Sequence, residues 1–360
     1  MRESLAVGLM MAAFTLAAPT AETAAPWRAG WSDLHNPGEL LKVAKELTFN
    51  AIITQGPPEK LEAFARQAKE LGVEVYLWTN ATAGKGEEAL AQRMSPEEDT
   101  LWARLKADTD PKKHAYQFGG EPLEGQREVL QTPPLCLDRP EAMEAFKERL
   151  KAVVDACPSL GGVAFDFIGY QNCRCCHCPV TEKLLQAWHQ AHAQLPPGKA
   201  RDEFSLERLV WYYEQLSDYV RSLRPGLKLT AHIYPAFLPE PLYGNRLKLD
   251  YSIQTATWFF EPYWPEAKVR QYARAIAVEE GKYHANARGI PFVGLYVQRP
   301  IADKPVERFA KELEWIFGAA GGTSLSIYDF ESLVLHEAYR RALKEALARA
   351  ASNMGAASRR

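Results

Sequence analysis

The residues with the clearest capacity for chemistry lie between Gly161 and Cys178. Asp166 closes an apolar run that includes Val163 and Phe165 and has the length of one β-strand. Burying a carboxylate there costs free energy unless a partner or a reaction needs it. We therefore predict that Asp166 is catalytic. The structural alternative is an aspartate that accepts backbone N–H bonds from the loop behind it.

Sulfur-containing side chains follow this aspartate closely. Within a dozen residues the chain has Cys173, Cys175, Cys176 and Cys178, with His177 among them. Thiolates at such spacing can reach one tetrahedral metal ion without strain. Disulfide bonds are the alternative in an exported protein, and several pairings are open. The sequence therefore indicates either a zinc site or a disulfide-bonded loop beside the catalytic aspartate.

These residues need a scaffold, and after residue 26 short β-rich runs alternate with amphipathic helical stretches such as Glu207–Leu223 and Glu331–Ala348. This alternation is typical of βα units around a parallel sheet, and eight units predict a (β/α)8 TIM barrel. Two insertions, 81–135 after strand three and 170–206 after strand four, leave from the face where barrel enzymes keep their active sites. The predicted strands are Trp27–Asp33, Ala51–Gln55, Val73–Asn80, Gly161–Ile168, Lys228–Tyr234, Tyr251–Phe259, Pro291–Val297 and Thr323–Phe330.

Side chains alternate along a strand, so one set faces the helices and the other fills the barrel and reaches its mouth, the end where the strands' carboxyl ends meet. Rings at the mouth can stack on sugar C–H faces while polar neighbours bind hydroxyls. The predicted substrate contacts are Trp31, Asp33, Trp78, Asn80, His232, Tyr234, Tyr296 and Gln298. Strand-to-helix packing is the alternative for the rings, and a satisfied core histidine is the alternative for His232. Asp329 is in phase with Leu325 and Ile327, which face the helices, and is expected on the rim.

The segment Phe165-Asp166-Phe167-Ile168-Gly169-Tyr170 resembles the end of strand four in barrel glycoside hydrolases, particularly the α-glycosidase clans. In those clans this aspartate is the nucleophile of a retaining mechanism. The resemblance implies that Asp166 attacks the anomeric carbon and that a second carboxyl, about 5–5.5 Å away, protonates the leaving oxygen and later activates water. By the same resemblance Glu261, whose aromatic neighbours would desolvate it, is the predicted acid/base. The rival carboxyls are Asp33, Glu240, Asp329 and Glu331.

The run Cys173-x-Cys175-x-x-Cys178 is similar to the Cys-x-Cys-x-x-Cys motif of the family-42 β-galactosidases, whose cysteines hold a structural zinc beside the active-site cleft. The resemblance implies a structural zinc site with the ligands Cys136, Cys173, Cys175 and Cys178. Cys136 is the implied fourth ligand because it precedes the helix that leads into strand four. The chain departs from that family by placing Cys176 and His177 inside the motif and by lacking the paired glutamates.

Composition sets the remaining bounds. The chain has 360 residues, 47% of them hydrophobic, which suits one barrel domain over residues 26–350. A net charge of −2 with scattered Lys and Arg gives no reason to expect a nucleic-acid partner. The uncharged run from Leu5 to Ala18 is shorter than the roughly 20 residues that span a bilayer. We predict that residues 1–25 are a signal peptide, with a buried helix as the alternative, and that residues 351–360 are a disordered tail.

Together these features predict a periplasmic or secreted glycoside hydrolase, retaining in mechanism, that acts on a neutral oligosaccharide or polysaccharide. No organic cofactor and no membrane attachment after signal cleavage are expected, and the sequence does not determine the oligomeric state. A carbohydrate-binding barrel without catalysis is the alternative. A metal-dependent hydrolase is disfavoured because no His-x-His closes strand one.

Overall fold

The computed structural model describes residues 25–95, 133–166, 168–170, 174–233, 243–259, 261, 263–278, 288–297 and 304–357. Within these residues eight parallel strands close into a barrel in chain order, which confirms the predicted (β/α)8 fold. The strands are β1 Arg28–Ser32, β2 Ala51–Thr54, β3 Glu74–Asn80, β4 Gly162–Asp166, β5 Lys228–Ile233, β6 Tyr251–Thr257, β7 Arg288–Gly294 and β8 Leu325–Tyr328. The predicted signal peptide up to residue 24, Cys173, Tyr234, Glu240 and Gln298 lie outside the described residues.

Helices cover the outside of the barrel, and several begin at a proline. Pro37, Pro58, Pro140, Pro179 and Pro197 each occupy the first helical position, where the missing N–H has no intrahelical partner anyway. The described helices are α1 Pro37–Glu46, α2 Pro58–Glu70, α3 Pro140–Ala156, α4 Pro179–Ala191, α5 Pro197–Leu223, α6 Glu266–Val278, α7 Val306–Ala320, α8 Glu331–Leu335 and α9 Glu337–Ala357. None of the described helices is long and apolar enough to cross a membrane.

Two predicted segments differ from the structure at their ends. Helix α5 begins at Pro197, ten residues before the predicted start at Glu207, because a proline that breaks one helix also starts the next. The predicted helix 331–348 is divided at His336, whose backbone is extended. Helix α9 then runs to Ala357, so residues 351–357 are helical where a disordered tail was predicted. Their alanines favour helix over coil.

The two ends of the barrel interior differ in character. At the amino ends of the strands, Trp27 stacks on Tyr251 at 4.1 Å between ring centroids and meets Tyr76 edge-on at 5.8 Å. Gly162 allows the Tyr76 ring to lie there, because a Cβ on Gly162 would meet ring atoms at 2.4 Å. Aromatic packing therefore closes this end of the barrel interior.

Candidate active site

Asp166 lies at the carboxyl end of β4, and only 2% of its surface is exposed. Its Oδ2 accepts a hydrogen bond from Nε1 of Trp78 on β3 at 3.0 Å. Its Oδ1 lies 3.5 Å from Nδ1 of His232 on β5. Both contacts come from side chains of the neighbouring strands. This geometry does not support the alternative in which Asp166 accepts backbone N–H bonds from the cysteine loop.

His232 is buried beneath the carboxylate. Its ring lies over Phe292 with centroids 3.9 Å apart, and its Nε2 is 3.3 Å from Oγ1 of Thr255. Burial lowers the pKa of His232, and the nearby Asp166 carboxylate opposes that shift. The side chain was predicted to contact a substrate hydroxyl. In the structure each ring nitrogen instead faces a protein group.

A chain of rings runs along the mouth beside Asp166, and we call Trp78, Phe259, Tyr296 and Tyr328 the aromatic wall. Trp78 meets Tyr328 edge-on at 5.6 Å, and Tyr328 meets Tyr296 at 5.4 Å. Tyr296 stacks on Phe259 at 5.1 Å. Trp78, Tyr296 and Tyr328 are partly exposed, so the wall presents apolar faces and hydroxyl groups to the mouth.

Trp31 belongs to the packed interior. It is 1% exposed, its Nε1 donates to Oγ of Ser326 at 2.8 Å, and its ring meets Trp78 edge-on at 5.3 Å. The packing alternative therefore describes Trp31, which supports the wall from below. Sequence reasoning missed Tyr328 and Phe259. The signal for Tyr328 was present, because it alternates in phase with the inward Ser326.

Two side chains predicted to be polar substrate contacts, Asn80 and Asp33, bond to groups of the protein at the edge of the mouth. Asn80, paired in register with Asp166, accepts hydrogen bonds through Oδ1 from the backbone N–H and the hydroxyl of Thr82, so it shapes the turn after β3. Asp33 is exposed and accepts a hydrogen bond from Nε2 of Gln55 at 3.3 Å. Asp33 and Gln55 directly follow β1 and β2, so this pair lies at the edge of the mouth.

The candidate acid/base carboxyls have different surroundings. Glu261 is exposed, so the desolvation expected from its aromatic neighbours is not found. Asp329 accepts a hydrogen bond from the backbone N–H of Glu331 at 2.8 Å and holds the start of α8. Glu331 is 8% exposed, and its Oε1 accepts from Oγ of Ser32 at 2.6 Å. Of these three carboxyls, Glu261 is the one that solvent reaches most freely.

A second buried charge lies behind the aromatic wall, and we call Lys304, Arg308 and Glu312 the lysine clamp. The Lys304 ammonium donates to the carbonyls of Trp258 at 2.7 Å and Gly294 at 2.5 Å and to Oε2 of Glu312 at 2.6 Å. Arg308 donates to the other oxygen of Glu312 at 2.7 Å. The clamp therefore ties together the ends of β6 and β7, next to Phe259 and Tyr296.

Three cysteines form a buried cluster beside the site. The Sγ atoms of Cys136, Cys176 and Cys178 all lie within 4.8 Å of one another, and those of Cys136 and Cys178 are 3.5 Å apart. The five cysteines in the described part of the chain are free thiols, which removes the disulfide alternative for them. Such a donor set can hold a metal ion, because tetrahedral thiolate sites with Zn–S bonds of about 2.3 Å place sulfurs roughly this far apart.

The surroundings of the cluster shift the pKa values of its thiols in opposite directions. A hydrogen bond from Cys136, together with the backbone N–H groups of Arg93 and Cys178, lowers the pKa of Cys176 to about 6 despite burial. The hydrogen bond to Cys176 and burial raise the pKa of Cys136. Cys176 is therefore the thiol of the cluster that loses its proton most easily, and a metal ion would have to displace protons from the other thiols.

The ligand prediction needs one correction. Cys175 was predicted as a ligand, but its Sγ lies 3.3 Å from Nη1 of Arg201 and outside the cluster. Burial raises its pKa to about 11. Cys176 takes its place because the backbone turns before α4, where Cys178 accepts the N–H of Thr181 at the helix start. Spacing alone could not show which of two adjacent cysteines faces Cys136.

No protein-family model and no curated protein sequence matches this chain. Solved structures do match. A β-galactosidase from Bacillus circulans sp. alkalophilus is 11% identical with a TM-score of 0.52, over 84% of this chain and 50% of that one. The GH42 β-galactosidase Gan42B from G. stearothermophilus is 13% identical with a TM-score of 0.55, over 90% of this chain and 57% of that one.

A third match is the β-galactosidase of the Antarctic haloarchaeon Halorubrum lacusprofundi, which is 13% identical with a TM-score of 0.52. This match covers 84% of this chain and 52% of the haloarchaeal enzyme. The chain therefore spans about half the length of each of these three enzymes. At such identities the similarity shows the fold alone. The chain has the closed eight-stranded parallel barrel that these glycoside hydrolases also have.

Proposed function

We propose that this protein is an exported glycoside hydrolase that acts on a neutral oligosaccharide or polysaccharide with Asp166 as nucleophile. The observation that carries the proposal is the buried Asp166 carboxylate at the end of β4, held by Trp78 and His232 next to a partly exposed aromatic wall. Barrel enzymes keep their chemistry at this end of the strands. Rings with polar edges suit the two kinds of surface that a sugar presents.

In the proposed mechanism one oxygen of Asp166 attacks the anomeric carbon and displaces the leaving oxygen, giving a glycosyl ester. A second carboxyl donates its proton to the leaving oxygen and then removes a proton from the water that cleaves the ester. We assign this role to Glu261, two residues after Phe259, with Asp329 as the second choice. Glu261 is exposed in the free protein, so a bound sugar would cover it and supply the desolvation that a general acid needs.

Turnover of a panel of p-nitrophenyl α- and β-glycosides tests the nucleophile. Asp166→Asn should lower kcat by about 1000-fold or more, because the neutral amide cannot attack, while Asp218→Asn on the exposed face of α5 should leave kcat unchanged. A 2-deoxy-2-fluoro glycoside of the sugar that is turned over should leave a covalent adduct on Asp166, detected by peptide mass spectrometry. Unchanged turnover in Asp166→Asn would refute the assignment.

A carbohydrate-binding barrel without catalysis is the second candidate. It is favoured by the surroundings of the carboxyls, since the contacts of Asp166 are a tryptophan and a histidine, and Asp329 is engaged by α8. Binding of a glycan that the protein does not cleave, with Trp78→Ala abolishing that binding, would establish this candidate. A glycosyl adduct on Asp166 would exclude it.

We also propose that the cysteine cluster holds a structural zinc ion through Cys136, Cys176 and Cys178. A fourth ligand is needed for a tetrahedral site, and Cys173 is the candidate in the adjoining segment. Zinc bound here would fix the loop that follows β4 and would take no part in the proposed reaction.

N-terminal sequencing of the protein from the periplasm or medium tests the export that residues 5–18 indicate.

A further inference from the structure

We propose that His232, oriented by Thr255, is a positioning residue that fixes the Asp166 carboxylate for attack. This inference rests on the proposed function and adds to it a role for two residues below the mouth. Asp166 ends β4, His232 comes from β5 and Thr255 comes from β6, so the three side chains are supplied by consecutive strands. Trp78 approaches the other carboxylate oxygen from β3.

The chemistry of the partners determines how the ring is protonated. A carboxylate only accepts hydrogen bonds, so Nδ1 of His232, 3.5 Å from Asp166 Oδ1, must carry a hydrogen for the contact to be attractive. A neutral ring then leaves Nε2 as an acceptor facing Oγ1 of Thr255, 3.3 Å away. The Thr255 hydroxyl also lies 3.1 Å from the carbonyl of Ile233, so its hydrogen can turn to either group.

Two aromatic rings also pack against the His232 imidazole. Phe292 on β7 stacks on it, and Trp31 on β1 lies 5.8 Å from it between centroids. The charged group described in contact with His232 is Asp166, and Tyr243 is a further titratable neighbour of that carboxylate. In such a dry setting the attraction between an N–H group and a carboxylate is stronger than in water. Contacts from both sides therefore restrict rotation of the carboxylate about its Cβ–Cγ bond.

A measurement of the tautomer tests the contact without any substrate. In protein with ¹⁵N-labelled histidine, long-range ¹H–¹⁵N spectra at pH 7.5 should show His232 protonated at Nδ1, with the signal assigned by its loss in His232→Asn. Asp166→Ala should move the ring toward the Nε2-protonated form. A His232 ring whose Nδ1 is unprotonated in the native protein would overturn the proposal.

Activity tests whether the contact matters for the reaction, with the aryl glycoside that the native protein turns over fastest. His232→Leu should lower kcat about 10- to 100-fold with little change in KM, because an orienting partner is lost and not a substrate contact. His232→Asn places an amide N–H near the position of Nδ1 and should restore most of the lost rate.

Thr255 offers a matched pair. Thr255→Val keeps the shape and removes the hydroxyl, and it should lower kcat less than His232→Leu does, while Thr255→Ser should retain the native rate more closely. Equal rates for the Leu and Asn variants of His232 would overturn the positioning role. Unchanged turnover in Asp166→Asn would instead refute the proposed function, and the tautomer measurement would still report on the contact.

Discussion

Two buried charges near the mouth of the barrel are bonded very differently. Lys304 is 0% exposed and donates to three acceptors, and both oxygens of its partner Glu312 also accept hydrogen bonds. Asp166 is 2% exposed, with one hydrogen bond of 3.0 Å from Trp78 and a longer 3.5 Å contact to His232. The lysine has used its full capacity as a donor, whereas the carboxylate has lone pairs to spare.

This difference is the one expected between a structural charge and a charge that acts on a substrate, the role we propose for Asp166. An ammonium has three hydrogens, and a buried ammonium that satisfies all three has nothing left to offer a ligand. Burial of a carboxylate costs desolvation free energy, and a carboxylate with few hydrogen bonds recovers only part of it. Groups that act on substrates are often found in this state. We conclude that saturation of hydrogen bonds, and not burial itself, distinguishes Asp166 from the lysine clamp.

Removal of the clamp should have the largest effect on stability. Lys304→Met leaves Glu312 buried with only Arg308 as a cation, and loss of one partner of a buried pair costs about 3–5 kcal/mol. The free energy of unfolding in urea should fall by that amount, and Lys311→Met on the exposed face of α7 should change it by less than about 0.5 kcal/mol. Asp166→Asn should be neutral or stabilising. A larger loss in Asp166→Asn than in Lys304→Met would reverse the comparison.

The cysteine cluster is a third buried site, with charge that a metal ion would balance. We expect about one zinc ion per chain, from the tetrahedral ligand geometry. Cys176→Ser should weaken zinc binding by about 100-fold or more, because loss of a direct ligand should cost more than the roughly 10- to 100-fold that loss of a supporting residue costs. Metal content after dialysis against a graded chelator measures this. Cys175→Ser is the matched control and should keep its zinc, and the opposite result would restore the ligand set predicted from the spacing.

The sequence predicted what depends on periodicity. Alternation along the strands identified the inward side chains, and it correctly brought together Trp31, Trp78, Asp166 and His232. This worked because a parallel barrel forces inward residues of neighbouring strands into contact at one height. Their partners could not be predicted the same way. That His232 would face Asp166 depends on rotamers that a one-dimensional pattern does not contain.

The features that the sequence missed depend on loops and on contacts between distant segments. Lys304 lies just before α7 and reaches carbonyls of Trp258 and Gly294, which no local sequence pattern connects to it. Cys176 and Cys175 are adjacent, so only the backbone turn before α4 decides which one meets Cys136. Residues whose role is fixed by secondary structure were predictable, and residues whose role is fixed by loop conformation were not.

A smaller effect tests the hydrogen bond that Asp166 does have. Trp78→Phe keeps an aromatic ring in the wall and removes the Nε1–H, and hydrogen bonds to charged groups contribute about 1.5–3 kcal/mol. We expect kcat/KM on the responsive aryl glycoside to fall by about 10- to 100-fold. Trp31→Phe is the control, because its N–H serves Ser326 and not the carboxylate. Equal losses in the two variants would show that ring packing, and not the bond to Asp166, sets the rate.

The smallest expected effect is the pH dependence of stability that His232 contributes. Burial holds the folded-state pKa of His232 below its ordinary value of 6.5, although Asp166 partly opposes this. Below pH 6.5 the unfolded chain therefore binds a proton that the folded chain does not, so this contribution to stability is complete above 6.5 and falls as the pH drops toward the folded-state value. The loss is at most about 1.4 kcal/mol per pH unit. Urea unfolding at pH 7, 6 and 5 should show a shallower decline for His232→Asn than for the native protein, because asparagine does not titrate. Parallel declines would mean that the imidazole keeps its ordinary proton affinity in the folded protein, so that the attraction to Asp166 fully offsets the effect of burial.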